Sequence, residues 1–368
     1  MSGKHLCRLA ALGAILLATA LRATADTESP TLTKYRKPVE QCVDKALAYL
    51  AKTQVPPGQP LAGSFESPGR PGSPAITSLC VMAFLSNGHT PGTGTYGEVI
   101  NRGIDFVLAT YDARTALLMR PNRAKGEELM YSHCIGTLML AEVSGMVDRE
   151  RQRKIDAALP KALKLIVLTQ RVRKAPKDTG GWRYYPDSRD SDLSLTGWAI
   201  MALRSGRLNG AAIPKECIDK AKQYIMKCQM ADGGFAYRPG SGSGLARTGL
   251  GVLVLELCGD HGSPQSIAGG EYILRQIPRA VEESDRMDFY SYGIYYGSQA
   301  MFQLGGKYWE TWASVMYNTL LKAQLADGAW PVNRNEGGSV GVIGSCYSTA
   351  MAVLALTVSY RQLPIYQR

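Results

Sequence analysis

Two aspartates in one acidic loop are the residues of this chain best suited to acid–base chemistry. Asp190 and Asp192 lie in the stretch GGWRYYPDSRDSDLSLTGWAIMAL, residues 180–203, directly before a strongly apolar segment. Two carboxylates this close can act as a general acid or base when burial or a neighbouring charge shifts a pKa. Asp192 also has the residue type and position of a helix N-cap, which is a structural role. Both interpretations are open at this point.

Acid–base chemistry would need a partner for these acids, and His133 and Arg247 are the candidates. Each stands near the start of an apolar segment, and His133 is one of only 4 histidines in the chain. If helices that begin near these residues converge at one end of the fold, either side chain can pair with Asp190 or Asp192 across that end, as an acid–base pair or as a group that anchors a ligand. His133 is thus a catalytic candidate with the two aspartates, and Arg247 is a candidate ligand-binding residue. A core histidine bonded to backbone groups is the alternative for His133.

Two clusters of aromatic residues supply the aromatic candidates for ligand binding. One precedes the acidic pair, and the other lies in DFYSYGIYYG, residues 288–297, where helical spacing places three tyrosines on one side. Such rings can line a cavity for an apolar or carbohydrate ligand, or they can fill a core. The candidates are Trp182, Tyr184, Tyr185, Tyr292, Tyr295 and Tyr296.

Composition argues against several function classes. The chain has 42 Lys and Arg against 31 Asp and Glu, a net charge of +11, and the basic residues are dispersed, which argues against a nucleic-acid partner. No phosphate-cradling or dinucleotide motif occurs, so no cofactor is predicted. The cysteines are widely spaced and none forms a CxxC pair, which predicts at most one or two disulfides and no zinc cluster.

The first 25 residues have the pattern of a secretory signal peptide. A basic start is followed by an apolar run over 9–20 and by small residues at 23–25. The apolar run is shorter than the ~20 residues that cross a bilayer, although an N-terminal anchor is the alternative. We therefore predict an exported protein, periplasmic or secreted. The predicted organisation is a signal peptide at 1–25, a linker at 26–37 and one domain at 38–366.

A turn with the pattern Gln, Gly-Gly and an aromatic residue recurs along the chain. QMADGGFAY covers 229–237, QLADGAWPV covers 324–332, and related copies follow Gln170 and Gln54. Glycine permits the positive φ that ends a helix, and Gln side chains can bond to the backbone groups left unpaired there. We predict that these turns are structural staples between helical hairpins.

Apolar spacing and Gly/Pro punctuation predict twelve helices and no convincing strand. The predicted ranges are 38–53, 74–87, 97–110, 131–145, 153–170, 192–206, 214–229, 246–259, 265–277, 290–305, 308–325 and 346–360. Every second helix is nearly all apolar, and the others carry charge on one face. Six such hairpins predict an all-α, closed double ring, an (α/α)6 toroid. An open solenoid is the alternative, but it would need polar end caps.

These turns and helices resemble the repeats of terpenoid cyclases, such as squalene–hopene cyclases, and of protein prenyltransferase β subunits. The phrases at 131–142, 180–205 and 284–309 are similar, more specifically, to exported planctomycete-type proteins with prenyltransferase and squalene oxidase repeats. The resemblance covers about 38–366, and it implies an α/α toroid with a central cavity.

The resemblance implies two kinds of chemistry, terpene cyclisation and zinc-dependent prenyl transfer. The sequence motif for each of them is incomplete in this chain. Protonation-initiated cyclases use a DxDD motif, and the matching stretch, Asp190 to Leu193, has Leu193 in place of the last acid. The zinc-binding Cys and His of prenyltransferases would fall where Phe289 and Gly344 stand, so we predict no metal site.

Three classes of function remain. The first is a toroid that binds an apolar or isoprenoid-like ligand in its cavity, with cyclase-type catalysis left open. The second is a non-catalytic interaction module of the cell envelope, and the third is a carbohydrate-active enzyme that uses Asp190 or Asp192 with a second acid. A deep apolar hole favours the first class, a plugged ring the second, and an open cleft with two carboxylates the third.

Overall fold

Twelve α-helices and one short hairpin make up the described part of the chain. The structure is a computed structural model that describes residues 29–121, 129–282, 287–333, 335–336, 344–360 and 362–366, so the predicted signal peptide at 1–25 lies outside it. The helices are α1 Pro30–Thr53, α2 Pro74–Ser86, α3 Gly97–Ala109, α4 Leu129–Val143, α5 Arg149–Gln170, α6 Leu193–Leu208, α7 Lys215–Lys227, α8 Leu245–Leu257, α9 Pro264–Glu282, α10 Tyr290–Leu304, α11 Gly306–Ala323 and α12 Ser345–Leu356. Strands β1 Tyr111–Asp112 and β2 Leu117–Leu118 pair antiparallel between α3 and α4.

The even-numbered helices form a closed inner ring. Helices α2, α4, α6, α8, α10 and α12 each pack against the next in this order, and α12 packs against α2. The odd-numbered helices lie outside them, with α1, α3, α5, α7, α9 and α11 each packed against inner helices. The predicted closed double ring is therefore confirmed, and the chain is not an open solenoid.

Residue size and polarity explain the two rings. Inner helices approach closely where they carry glycine, and a Cβ at Gly249 of α8 would lie 2.7 Å from the backbone nitrogen of Gly297 in α10. The outer helix α7 instead buries a single stripe, formed by Cys217, Ala221, Tyr224 and Ile225, and exposes its charged face.

The predicted staples are present. Gln170 is the last residue of α5. Its Nε2 donates to the carbonyls of Gly180 and Cys217, each at 2.8 Å. The first bond holds the turn that follows the helix, and the second joins the end of this outer helix to the start of the next, α7. The equivalent pairs of bonds are made by Gln54, Gln229 and Gln324.

The C-terminal segment fills the axis of the ring at one end. Ile365 and Tyr366 are buried, and they lie among the last turns of the inner helices. The amide of Ile365 donates to Glu142 of α4 at 3.2 Å, and its carbonyl accepts from Arg204 of α6 at 3.4 Å. The hydroxyl of Tyr366 bonds to that of Tyr295 in α10. The ring is therefore plugged at the C-terminal ends of its inner helices.

Two features differ from the sequence-based expectations. Helix α1 begins at Pro30, inside the predicted linker at 26–37, because Pro30 suits a first helical turn and Ser29 accepts from the amide of Leu32 at 3.3 Å. The hairpin at 111–118 was not predicted. The seven cysteines of the described residues are all unpaired, which agrees with the expectation of at most one or two disulfides. No helix in this part of the chain is long and apolar enough to cross a membrane.

Candidate functional site

A cavity of about 640 Å³ opens at the end of the ring opposite the plug. Its walls come from the first two turns of the six inner helices and from loops that precede them. The deeper wall is apolar and includes Leu79 of α2, Ile135 of α4, Trp198 of α6 and Met351 of α12. A volume of this size falls within the range of roughly 300–1,000 Å³ that is usual for small-molecule sites.

Tyrosines supply much of the remaining wall. Tyr184 is the one candidate of the acidic loop that lines the cavity, and Tyr292 is the one candidate from α10 that does so. Three more tyrosines reach the cavity from other helices and loops, and the sequence analysis did not select them. These are Tyr131, Tyr237 and Tyr347.

Asp192 is fully buried and caps α6. Its Oδ1 accepts from the amide of Leu195 at 2.8 Å, and its Oδ2 lies 3.3 Å from Nη1 of Arg183. Burial raises the pKa of Asp192 to about 7, although the Leu195 amide and the charge of Arg183 oppose this shift. The structural interpretation of Asp192 as an N-cap is therefore confirmed.

Asp190 takes part in an ion-pair cluster beside Asp192. Its Oδ2 lies 2.6 Å from Nη2 of Arg238 and 3.2 Å from Nε of Arg183. Arg183 also stacks on Tyr184, with 4.1 Å between the guanidinium carbon and the ring centroid. The two arginines thus balance the two acids, and Arg183 connects them to a tyrosine of the cavity wall.

A second buried carboxylate lies near the mouth, and the sequence analysis missed it. Glu336 accepts from the amides of Ser291 and Tyr292 at 3.0 and 3.2 Å, so it caps α10 from a separate loop. Burial raises the pKa of Glu336, while these amides and a hydrogen bond from Tyr347 lower it. Its position in a Gly-rich loop gave no periodic signal that could have revealed it.

Solved structures show which fold this architecture belongs to. Neither a protein-family model nor a curated protein sequence matches the chain. The type II terpene cyclase MstE from Scytonema is 14% identical with a TM-score of 0.57, covering 89% of this chain and 100% of that one. D-mannose isomerase is 11% identical with a TM-score of 0.60, covering 92% of this chain and 100% of that one.

Unsaturated glucuronyl hydrolase from Bacillus sp. GL1 is also similar, at 11% identity and a TM-score of 0.58, with 88% of this chain and 97% of that one covered. The chain is an α/α toroid. The fold expected from the resemblance to terpenoid cyclases is therefore confirmed. At these identities the likeness establishes the fold of the toroid and nothing about its ligand.

The predicted pairing of His133 with the acids is not present in this toroid. His133 is fully buried, its Nδ1 accepts from the amide of Leu118 at 3.3 Å, and its Nε2 bonds to the carbonyl of Ala162 at 3.2 Å. Burial lowers the pKa of His133 to about 4. The side chain therefore ties the β-hairpin to α5 and does not line the cavity.

Arg247 lines the cavity as predicted, but it does not pair with the acids. Its Nη1 donates to the carbonyl of Gly242 at 2.8 Å. The partner of both aspartates is Arg183 of their own loop. The signal for this pairing was available, because Arg183 stands in the same GGWRYY phrase.

Four of the predicted ligand-binding aromatics do not line the cavity. The indole of Trp182 is buried and donates to the carbonyl of Ile166 at 2.8 Å, so this ring belongs to a staple. Tyr295 and Tyr296 are buried deeper in the toroid against Trp198. Tyr185 lies in the acidic loop outside the cavity wall.

The positions that correspond to the prenyltransferase zinc ligands belong to the mouth of the toroid. Phe289 lines the cavity, and Gly344 precedes α12. In the described ranges, no three His, Cys, Asp or Glu side chains lie close enough to share a metal ion.

Proposed function

We propose that this toroid binds an apolar, isoprenoid-like molecule in its central cavity. The observation that carries the proposal is the lining, which is mainly aliphatic and aromatic and contains no Asp or Glu among the described residues. Transfer of apolar surface from water into such a cavity is favourable by about 25 cal/mol per Å². The similar fold of MstE, whose structure holds the substrate geranylgeranyl dihydroxybenzoate, supports this class of ligand.

The geometry supports binding better than cyclase-type protonation. A general acid must reach the atom that it protonates, and Asp192 exposes no surface to the cavity. Its oxygens are already used by the amide of Leu195 and by Arg183, and Leu193 replaces the third acid of the cyclase motif.

The lining also argues against the other two function classes. Glycoside hydrolysis by the two-carboxylate mechanism uses two Asp or Glu side chains of the enzyme, about 5–9.5 Å apart, on either side of the bond that is cleaved. None of the described lining residues carries a carboxyl group. A purely structural interaction module has no need for a hollow ring, whereas this ring is hollow at its mouth.

Export through a signal peptide at 1–25 is part of the proposal. It predicts a mature protein that begins at Asp26, and mass spectrometry of the native N-terminus would check this.

The proposal can be tested by measuring farnesol binding with titration calorimetry in the wild type and in a variant in which one residue of the cavity wall is replaced by a larger one. Ala75 is half-buried on the cavity wall at the start of α2, so Ala75→Phe fills part of the cavity without entering the core. Ala157→Phe is the matched control, because Ala157 is exposed on the outer helix α5. We expect the wild type and the control to bind farnesol, and Ala75→Phe to bind at least tenfold more weakly. Equal binding by both variants, or no binding by the wild type, would overturn the proposal.

A further inference from the structure

Two arginines lie on opposite sides of the cavity mouth. Arg70 belongs to the loop before α2, and Arg247 lies in the first turn of α8; both line the cavity. In the six-membered inner ring, α2 and α8 are separated by two helices in either direction, so they face each other across the axis. The two guanidinium groups therefore reach the mouth from opposite walls.

The polarity of the wall changes with depth. Arg70, Ser73 and Arg247 lie at or before the helix starts, whereas Leu79 and Met351 lie five or six residues inside their helices. At a rise of 1.5 Å per residue, this places the apolar wall roughly 8 Å below the rim. The cavity therefore has a cationic rim and an apolar interior.

The rim arginines form no ion pair with the acids described near the mouth. Asp190 and Asp192 are paired with Arg183 and Arg238. Neither Arg70 nor Arg247 forms an ion pair with any carboxylate of the described residues. Helix α8 adds to the positive potential, since its N-cap, Gly244, provides no side-chain bond to the first amides.

We propose that the ligand is an amphiphile whose anionic head binds between Arg70 and Arg247 while its apolar tail fills the cavity. Guanidinium groups bind carboxylate and phosphate groups through charge-assisted hydrogen bonds, which are stronger than neutral ones. A neutral alcohol gains the same tail contacts without these bonds, and a cationic head is repelled. This inference rests on the proposed function, and it adds the chemical class of the ligand head.

Three probes with the same tail isolate the contribution of the head. Farnesoic acid, farnesol and farnesylamine are titrated at pH 8 and low salt into the wild type, Arg70→Gln, Arg247→Gln and the control Arg153→Gln. Arg153 is exposed on the outer helix α5, so this control removes one charge away from the mouth. Circular dichroism checks that each variant is folded.

We expect the wild type and the control to bind farnesoic acid about tenfold or more tightly than farnesol, and farnesylamine most weakly. In each rim variant the ratio of the affinity for farnesoic acid to the affinity for farnesol should fall towards one, because the charged partner of the acid is removed. Equal binding of acid and alcohol would overturn the proposal of an anionic head, and so would a preference for the acid that survives both rim substitutions. Either result would leave the proposal of an apolar ligand in the cavity unchanged. Failure of all three probes to bind overturns the proposed function itself.

Discussion

Asp192 links the cap of α6 to the ion-pair cluster at the mouth, so its substitutions separate structure from chemistry. Asn can still accept from the amide of Leu195, whereas Ala cannot. We predict that Asp192→Ala lowers the free energy of unfolding by about 1–2 kcal/mol relative to Asp192→Asn, measured by urea denaturation at pH 7. Farnesol affinity should be unchanged in Asp192→Asn. A folded Asn variant that no longer binds would assign Asp192 to the ligand site.

Glu142 makes the stability of the fold depend on pH. It is buried beneath the cavity, accepts from the amide of Ile365 and bonds to Ser205. Burial raises the pKa of Glu142 to about 7, above the value of about 4.3 expected in the unfolded chain. The folded state therefore holds this proton more tightly, so the contribution of Glu142 to stability is present below pH 4 and is lost as the pH rises towards 7.

The variant Glu142→Gln tests this pH dependence. In the wild type the amide of Ile365 and the hydroxyl of Ser205 both donate to Glu142, and a glutamine side chain can keep both contacts, accepting through its oxygen and donating to the Ser205 oxygen through its NH2 group. We predict that the wild type loses on the order of 2–3 kcal/mol of unfolding free energy relative to Glu142→Gln between pH 4 and pH 8. Asp192 and His133 titrate equally in both proteins and cancel in the difference. Parallel stability curves would contradict the prediction.

At the scale of elements, the C-terminal plug is a part of the fold that could not be predicted from the sequence. Ile365 is fully buried, while the neighbouring Gln362 is exposed. We predict that Ile365→Ala lowers the free energy of unfolding by about 2–5 kcal/mol through the cavity that it leaves. The control Gln362→Ala should change it by less than about 0.5 kcal/mol. Chemical denaturation of both variants gives the comparison, and equal stabilities would mean that the segment does not hold the ring closed.

The helices and staples could be predicted because their causes are local. Apolar residues all round one helix and on a single face of the next distinguish inner from outer helices. The four Gln- and Gly-containing turns then mark the ends of four outer helices. The plug could not be predicted in this way, because the segment LPIY, residues 363–366, is too short for periodicity, and its partners Glu142 and Arg204 are distant in the chain.

At the scale of the whole molecule, the sequence predicted a central cavity but only some of the residues that line it. Helical spacing correctly grouped Tyr292, Tyr295 and Tyr296, but the rotation of α10 in the ring decides which of them faces the cavity. That rotation is set by close contacts between helices, such as Gly249 against Gly297. A single sequence contains the glycines without showing which helices they bring together.

Photo-crosslinking is the measurement that tests the central claim most directly. A farnesol analogue with a diazirine in its tail would be irradiated with the intact protein, and the labelled residues mapped by mass spectrometry with excess farnesol as competitor. We predict competed labels on the deep cavity wall, at Leu79, Ile135 or Met351. Labels confined to the outer helices, or labels that farnesol does not displace, would show that the cavity is not the binding site.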